Sequence, residues 1–236
     1  MYYQRARGLD LPEDIRQRIL FEIESGLVTR TGLNDRETLP PWEEIEAKIK
    51  KANFPPSHLE YYRSIYFDFN LEGFDFSPDL TKDILDHYAD FLAMVPDAPK
   101  VTIKLSTTYA GRKTFHLHNG EAQSCTFTCI AKGVGAVTSW YDIKPEFDHR
   151  FRNPPGSRLL NKKGIAPHPD ELEEVTSIKL REWEMVIFDN NAVHMADGIE
   201  NGVDRWIISV GFLNISATEL EDIYAQWWSK KLNEKK

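Results

Sequence analysis

Cysteine is scarce: the chain of 236 residues has 2, Cys125 and Cys129. Four positions apart in what reads as one strand, they face one side about 13 Å from each other. That is too far to bridge, so free buried thiols in a reducing compartment are expected. Positive charge is also in short supply, with 29 Lys and Arg against 37 Asp and Glu for a net charge of -8. This balance argues against a general nucleic-acid or anionic-membrane surface. No apolar run approaches the roughly 20 residues of a bilayer span, and the opening Met-Tyr-Tyr-Gln-Arg-Ala-Arg-Gly lacks an apolar leader segment, so a cytoplasmic location is expected. Repeats, low-complexity tracts and inter-domain linkers are missing as well, which leaves a single domain over residues 1–236.

What is present is enough apolar and aromatic material, 41% and 12%, to fill one sizeable core. Helical periodicity comes first. Residues 12–25 put Ile15, Ile19, Leu20 and Ile23 on one face between Pro12 and Gly26. Pro41 to Ala52 repeats the pattern with Ile45 and Ile49, and the polar stretch Thr29 to Thr38 between them reads as a loop. The aromatic run from His58 to Phe69 reads as a short helix passing into a strand. Ser77 caps a third helix reaching about Met94, with Leu80, Ile84, Tyr88 and Phe91 inward and His87 solvated. From Lys100 the period changes to two and the β region opens. Ala122 to Ala131 and Val137 to Tyr141 read as further strands, and Lys144 to Glu174 as a long Pro-rich loop of the kind that covers sites.

Two stretches carry chemistry. Glu184 to Phe212 reads as a strand ending at Asp189, a second strand carrying His194, a Gly-rich turn, and a third strand beginning near Arg205. An imidazole ligates metals and a guanidinium clamps carboxylates bidentately. Thr114-Phe-His-Leu-His-Asn-Gly-Glu121, read as a strand, puts His116, His118 and Gly120 on one face. A buried strand His and a surface Arg are the plainer interpretation of either stretch alone; together they form a set.

His194 and Arg205, ten residues apart after a strand ending in Phe-Asp-Asn, resemble the second half of the Fe(II)/2-oxoglutarate-dependent oxygenase core. That resemblance implies a double-stranded β-helix, jelly-roll or cupin-like, over about residues 96–215. A helical buttress (1–95) and a C-terminal helix (216–236) would flank it. It further implies His194 on iron, Arg205 on the far carboxylate of 2-oxoglutarate, Thr138 and Trp140 lining the cosubstrate pocket, and O2 as co-reactant. The family's first metal motif is His-any-Asp, and the Thr114 to Glu121 stretch has no such Asp. Either His118-Asn119-Gly120 stands in its place, or His116-Leu117-His118 joins His194 in a three-histidine site.

Glycine in the carboxylate position is similar to the motif of the radical halogenases of this superfamily, where a chloride takes the open coordination position. The carrier-independent halogenases of free amino acids resemble this chain at further positions. They imply a substrate clamp of Arg63, Glu121, Asn214 and Ser216 with Trp227 and Trp228 closing over the chain of a lysine- or ornithine-like amino acid. Ser216 and Glu219 also have capping-box spacing, and both tryptophans fit plain packing. The expectation is therefore chlorination of an unactivated C–H bond in a small molecule. Its competitors are hydroxylation through His116, His118 and His194 or with Glu121 recruited, and a non-catalytic cupin-like protein holding a structural Zn²⁺ or nothing.

Overall fold

The computed structural model describes residues 2–31, 41–51, 56–68, 71–106, 125–133, 137–150, 168–190, 192–197 and 204–234. Strand β1 (Tyr3–Arg5) precedes helix α1 (Glu13–Glu24). Glu13 and Asp14 in its first turn complement the helix dipole, and Ile15, Ile19 and Ile23 are buried. β2 (Thr29–Arg30), α2 (Trp42–Lys51), α3 (Pro56–Asp68) and β3 (Leu71–Asp75) follow. α4 (Pro78–His87) starts where the Ser77 hydroxyl accepts the Leu80 N–H at 3.3 Å. Ser77 is itself held by the buried Glu22 carboxylate, which accepts its N–H at 2.9 Å. The single helix expected to run to Met94 instead breaks at Tyr88, with φ -92° and ψ 4°, before α5 (Ala89–Leu92). Tyr88 is buried, donates its hydroxyl to the Leu9 carbonyl at 3.0 Å and meets Phe127 edge-on at 4.8 Å. Tertiary packing there outweighs helical continuity.

The β region comprises β4 (Lys100–Ser106), β5 (Cys125–Lys132), β6 (Val137–Ile143), β7 (Leu172–Lys179), β8 (Val186–Asp189), β9 (Val193–Asp197) and β10 (Arg205–Phe212), and α6 (Ala217–Glu234) closes the chain. All pairing is antiparallel within two sheets, one ordered β1-β8-β5-β10-β4-β3-β2 and the other β7-β6-β9. Successive strands cross between the sheets from β5 to β6, β7 to β8, β8 to β9 and β9 to β10. Crossing of this kind around a two-sheet sandwich makes the core a double-stranded β-helix, as expected.

Alternation sorts the side chains into separate cores. Cys125, Phe127, Cys129 and Ala131 of β5, with Trp206, Ile208, Val210 and Phe212 of β10, pack against α1, α4, α5 and α6. The opposite faces of the same strands meet the small sheet. There Ile130, Val186 and Phe188 of the large sheet join Trp140 and Ile178 of the small one. The outer face of the small sheet carries Tyr141, Leu172, Val193 and Met195, against which Tyr61 of α3 packs. Both cysteines are free and buried.

Three strands escaped the sequence analysis. β1 is three residues long and pairs at the edge beside β8, too short to show a period. β2 occupies the first two residues of the Thr29 to Thr38 loop and pairs with β3. β7 lies partly within the stretch read as a loop, and only Leu172 and Ile178 of its eight residues are buried. Short 3-10 helices, Pro145–Arg150 and Pro169–Glu171, occupy the two described ends of that stretch. No helix among the described residues is long and apolar enough to cross a membrane.

Gly8 fixes how the N-terminal segment meets α6. Its φ is +82°, and a Cβ there would lie 2.2 Å from a Trp228 ring carbon. Gly8→Ala is expected to destabilise the fold by roughly 2–4 kcal/mol, from backbone strain plus overpacking. Urea unfolding measures it; a change under about 0.5 kcal/mol, the size of an ordinary surface substitution, would mean that this turn yields freely.

Candidate functional site

The space between the two sheets is unusual for a sandwich interior because much of it is polar. Beyond the Ile130, Val186 and Ile178 side chains it receives Thr126 and Thr128 from β5, Arg205 and Ser209 from β10, and Thr138 and His194 from the small sheet, all buried. Period two explains the placement. Arg205 and Ser209 share a face of β10 while Trp206, Ile208 and Val210 turn to the helices. Likewise His194 turns inward between Val193 and Met195, which face the outer core.

His194 is 3% exposed, and its ring meets Phe188 edge-on at 4.7 Å. Nδ1 lies 2.8 Å from the Ala192 carbonyl. A carbonyl only accepts, so Nδ1 carries a proton, the arrangement of a histidine that ligates a metal through Nε2. Trp140 is the direct cross-strand partner of His194. Its fully buried ring packs on Phe188 at 4.9 Å and stacks on Tyr3 at 4.8 Å. Trp140, Phe188 and His194 thus form one aromatic wall.

Arg205 is the conspicuous residue. It is 5% exposed, and burial alone pushes its guanidinium down to about 10. No carboxylate among the described residues offsets that burial, and Nε has no hydrogen-bond partner there. The Trp140 indole N–H is likewise buried without a partner. Four residues along β10 from Arg205, Thr128 donates its hydroxyl to the Ile208 carbonyl at 2.8 Å, so Ser209 is the donor in the 2.9 Å contact between the two hydroxyls. The unsatisfied groups of this interior are therefore donors, and the complementary ligand is an acceptor-rich anion. The β5-β10 register slips beside Arg205, between Trp206 and Ile207, where Ala131 is the extra residue. A Cβ at Gly133, φ +98°, would lie 2.6 Å from the Asp204 carbonyl.

Of the residues singled out from sequence, the fold brings His194, Arg205, Thr138 and Trp140 to one interior. His116, His118, Gly120 and Glu121 lie outside the described residues. Among the described residues no group of three His, Cys, Asp or Glu side chains is arranged to hold a metal. The remaining candidates sit elsewhere. Arg63 is exposed on α3. Asn214 donates its side-chain amide to Asp97 at 3.0 Å, and both the Leu213 and Asn214 N–H groups donate to the same carboxylate. Those bonds hold the Asp97 carboxyl below its ordinary range, the Asn214 N–H foremost. Ser216 forms the capping box of α6: its hydroxyl accepts the Glu219 N–H at 3.2 Å, and Glu219 accepts the Ser216 N–H at 2.8 Å. Trp227 lies in the helix-side core against Phe91 and Tyr224, and Trp228 packs beside it. The two tryptophans are thus on the helix side of the large sheet, away from the face that carries Arg205. Thr126, Thr128 and Ser209 were missed, although Thr126 and Thr128 alternating with Cys125, Phe127 and Cys129 already mark a strand with one polar buried face.

No protein-family model and no curated protein matches the chain. Among solved structures, Escherichia coli YcfD, a ribosomal oxygenase, is 15% identical with a TM-score of 0.35, over 64% of this chain and 36% of that one. The chain therefore spans about a third of the length of that protein. The non-heme alpha-ketoglutarate-dependent carbocyclase SnoK from nogalamycin biosynthesis is 12% identical with a TM-score of 0.37, over 75% and 85% of the two chains. A Pseudomonas putida prolyl-4-hydroxylase is 11% identical with a TM-score of 0.35, over 89% and 90%. The strand order, and not these likenesses, identifies the fold.

A cation desolvated without a partner costs several kcal/mol. Arg205→Met is accordingly expected to leave the ligand-free protein as stable as the parent, or more stable by roughly 1–4 kcal/mol, in urea unfolding. A loss of about 3 kcal/mol or more would reveal a structural partner for the guanidinium.

Proposed function

We propose that this protein is an Fe(II)/2-oxoglutarate-dependent oxygenase acting on a small molecule, with Arg205 holding the far carboxylate of 2-oxoglutarate and His194 ligating the iron. The buried guanidinium of Arg205, which no carboxylate among the described residues offsets, carries the reading. A purely structural arginine at this depth calls for a protein carboxylate, whereas a dicarboxylate ligand supplies the counter-charge only when bound. A cupin-like protein holding only a metal has no use for such a group.

The donor set fits these cofactors. The His194 ring is held through Nδ1, as a ligand through Nε2 requires, and two buried donors without a partner among the described residues, Trp140 Nε1 and Arg205 Nε, suit a polyoxygen anion. His116 and His118 are the further imidazoles the chain has for the metal. Bound iron with 2-oxoglutarate supplies the O2-dependent oxidation of a C–H bond. The chain's own residues do the rest: Arg205 binds and orients the cosubstrate, Thr138 lines it, Phe188 and Trp140 keep water from the imidazole, and the Trp140 N–H donates to an oxygen placed beside His194.

Halogenation is the specific form favoured by the register His118-Asn119-Gly120, where glycine leaves a position that chloride fills. Hydroxylation is the form favoured by His116, His118 and His194 together. A free amino acid is the proposed substrate, with Arg63 and Glu121 as opposite-charge anchors for its two ends. Asn214 and Ser216 already have hydrogen-bonding duties at the start of α6, and Trp227 and Trp228 have packing duties, so the anchors lean on Arg63 and Glu121.

Calorimetry under nitrogen with Mn(II) in place of iron should show 2-oxoglutarate binding that Arg205→Met weakens by about 100-fold, the loss expected on truncating one partner of a buried charge pair. Equal affinity in the two proteins would remove the assignment. Mass spectrometry of products formed from a panel of amino acids with Fe(II), 2-oxoglutarate and O2, with and without NaCl, then separates the forms. A chlorine isotope pattern that requires NaCl supports the glycine register, and gain of one oxygen irrespective of chloride supports the histidine register.

A further inference from the structure

Behind the strand that carries His194 lies a second buried group of ionisable side chains. His58 and Tyr61 come from α3, and His168 and Glu171 from the 3-10 turn that opens β7. His58 is 5% exposed, His168 7% and Glu171 1%. The two imidazoles meet edge-on with ring centres 4.0 Å apart, and Tyr61 meets His168 at 5.0 Å. His58 Nε2 lies 4.0 Å from Glu171 Oε1, while Glu171 Oε2 accepts the His168 N–H at 2.9 Å. His168 also caps the turn, its Nδ1 accepting the Asp170 N–H at 3.2 Å. Accepting at Nδ1 requires the Nε2–H tautomer of the neutral ring.

We propose that this group is a proton-operated latch: neutral His168 holds α3 against the outer face of the small sheet, and its protonation releases the helix. A second proton on His168 has only Nδ1 to occupy. There it removes the acceptor that caps the turn and sets a cation edge-on to His58. The carboxylates around it favour the proton, and burial opposes it. Asp170 Oδ2 stands 3.4 Å from Nδ1 and favours the proton, but that side chain is 83% exposed and its attraction is screened. Glu171 favours it too. Lys144 donates to the Asp170 carbonyl at 2.8 Å. Tyr141 on β6 is turned to Glu174 at 3.4 Å, and among the described side chains β9 contributes Val193 and Met195 on this side. Burial prevails and holds His168 below its ordinary value. A histidine with a depressed folded value stabilises the native state fully above its unfolded value, about 6.5, and that contribution is lost as pH falls through the depressed value. The latch is thus closed at neutral pH and opens on acidification. On the functional reading above, α3 also carries Arg63, so opening would loosen the substrate side without touching Arg205.

Hydrogen exchange of the full-length, ligand-free protein across about pH 7.5 to 5, corrected for intrinsic rates, tests the latch independently of any activity. Amides of α3 should lose about fivefold of their protection at the acid end, the equivalent of one lost cap hydrogen bond. His168→Asn, whose Oδ1 replaces Nδ1 as acceptor but cannot titrate, should stay closed throughout. An acid-end loss of the same size in both proteins, or none in the parent, overturns the proposal. If His168→Asn does not fold, an NMR titration of the parent decides: a depressed value with the Nε2–H tautomer upholds the latch, and an ordinary value or the Nδ1–H tautomer overturns it.

Discussion

A cation placed between two β-sheets, with no carboxylate near it among the described residues, is the constraint to which the rest of this structure answers. Burial of the Arg205 guanidinium works only while water is kept from the sandwich on every side. Helices α1, α4, α5 and α6 cover the large sheet, and α3 covers the small one. β1 closes the seam between them. It pairs with β8 of the large sheet while Tyr3 stacks on Trp140 of the small one, and the Tyr2 hydroxyl donates to Asp142 of β6. That hydrogen bond, after burial, helps push the Tyr2 phenol up to about 12, so the clasp stays protonated and intact across the physiological range.

The two cores do different work. On the helix side, Phe127 gathers Tyr88, Phe91 and Phe212 around it with ring contacts of 4.8 to 6.0 Å, and burial raises both cysteine thiols to about 12. Thiols so far from ionising are inert packing groups. Between the sheets, hydroxyls, an imidazole, an indole N–H and a guanidinium share a smaller volume with a few aliphatic side chains. Such an interior is a poor core and a good ligand pocket.

On the proposed reading, metal and cosubstrate would occupy that interior, and the substrate would approach over it. The outer face of β9 then gains importance, because whatever moves α3 against Val193 and Met195 acts on the strand that presents His194 from its other side. Strand alternation makes this coupling unavoidable: neighbouring residues of one strand belong to the pocket and to the helix interface.

Sequence alone determined the elements with strong periods and caps: α1 and α2, the Ser77 and Ser216 caps, β4, β5, β6 and the β8-β9-β10 run. It also singled out His194 and Arg205, because a metal-binding and an anion-binding side chain at a fixed spacing on adjacent strands is a local pattern. Only the tertiary structure decided the rest. β1, β2 and β7 draw their identity from partners distant in the chain, and Tyr88 breaks a helix for the sake of a contact with Phe127. Asn214, Ser216, Trp227 and Trp228 fit a substrate clamp by residue type, and their placement in a turn, a cap and the helix-side core follows from which side of the large sheet α6 packs on. The buried His58, His168 and Glu171 group was invisible for the same reason. Residue type is written in one dimension, whereas desolvation, which makes a histidine or an arginine chemically telling, depends on which distant segments come to cover it.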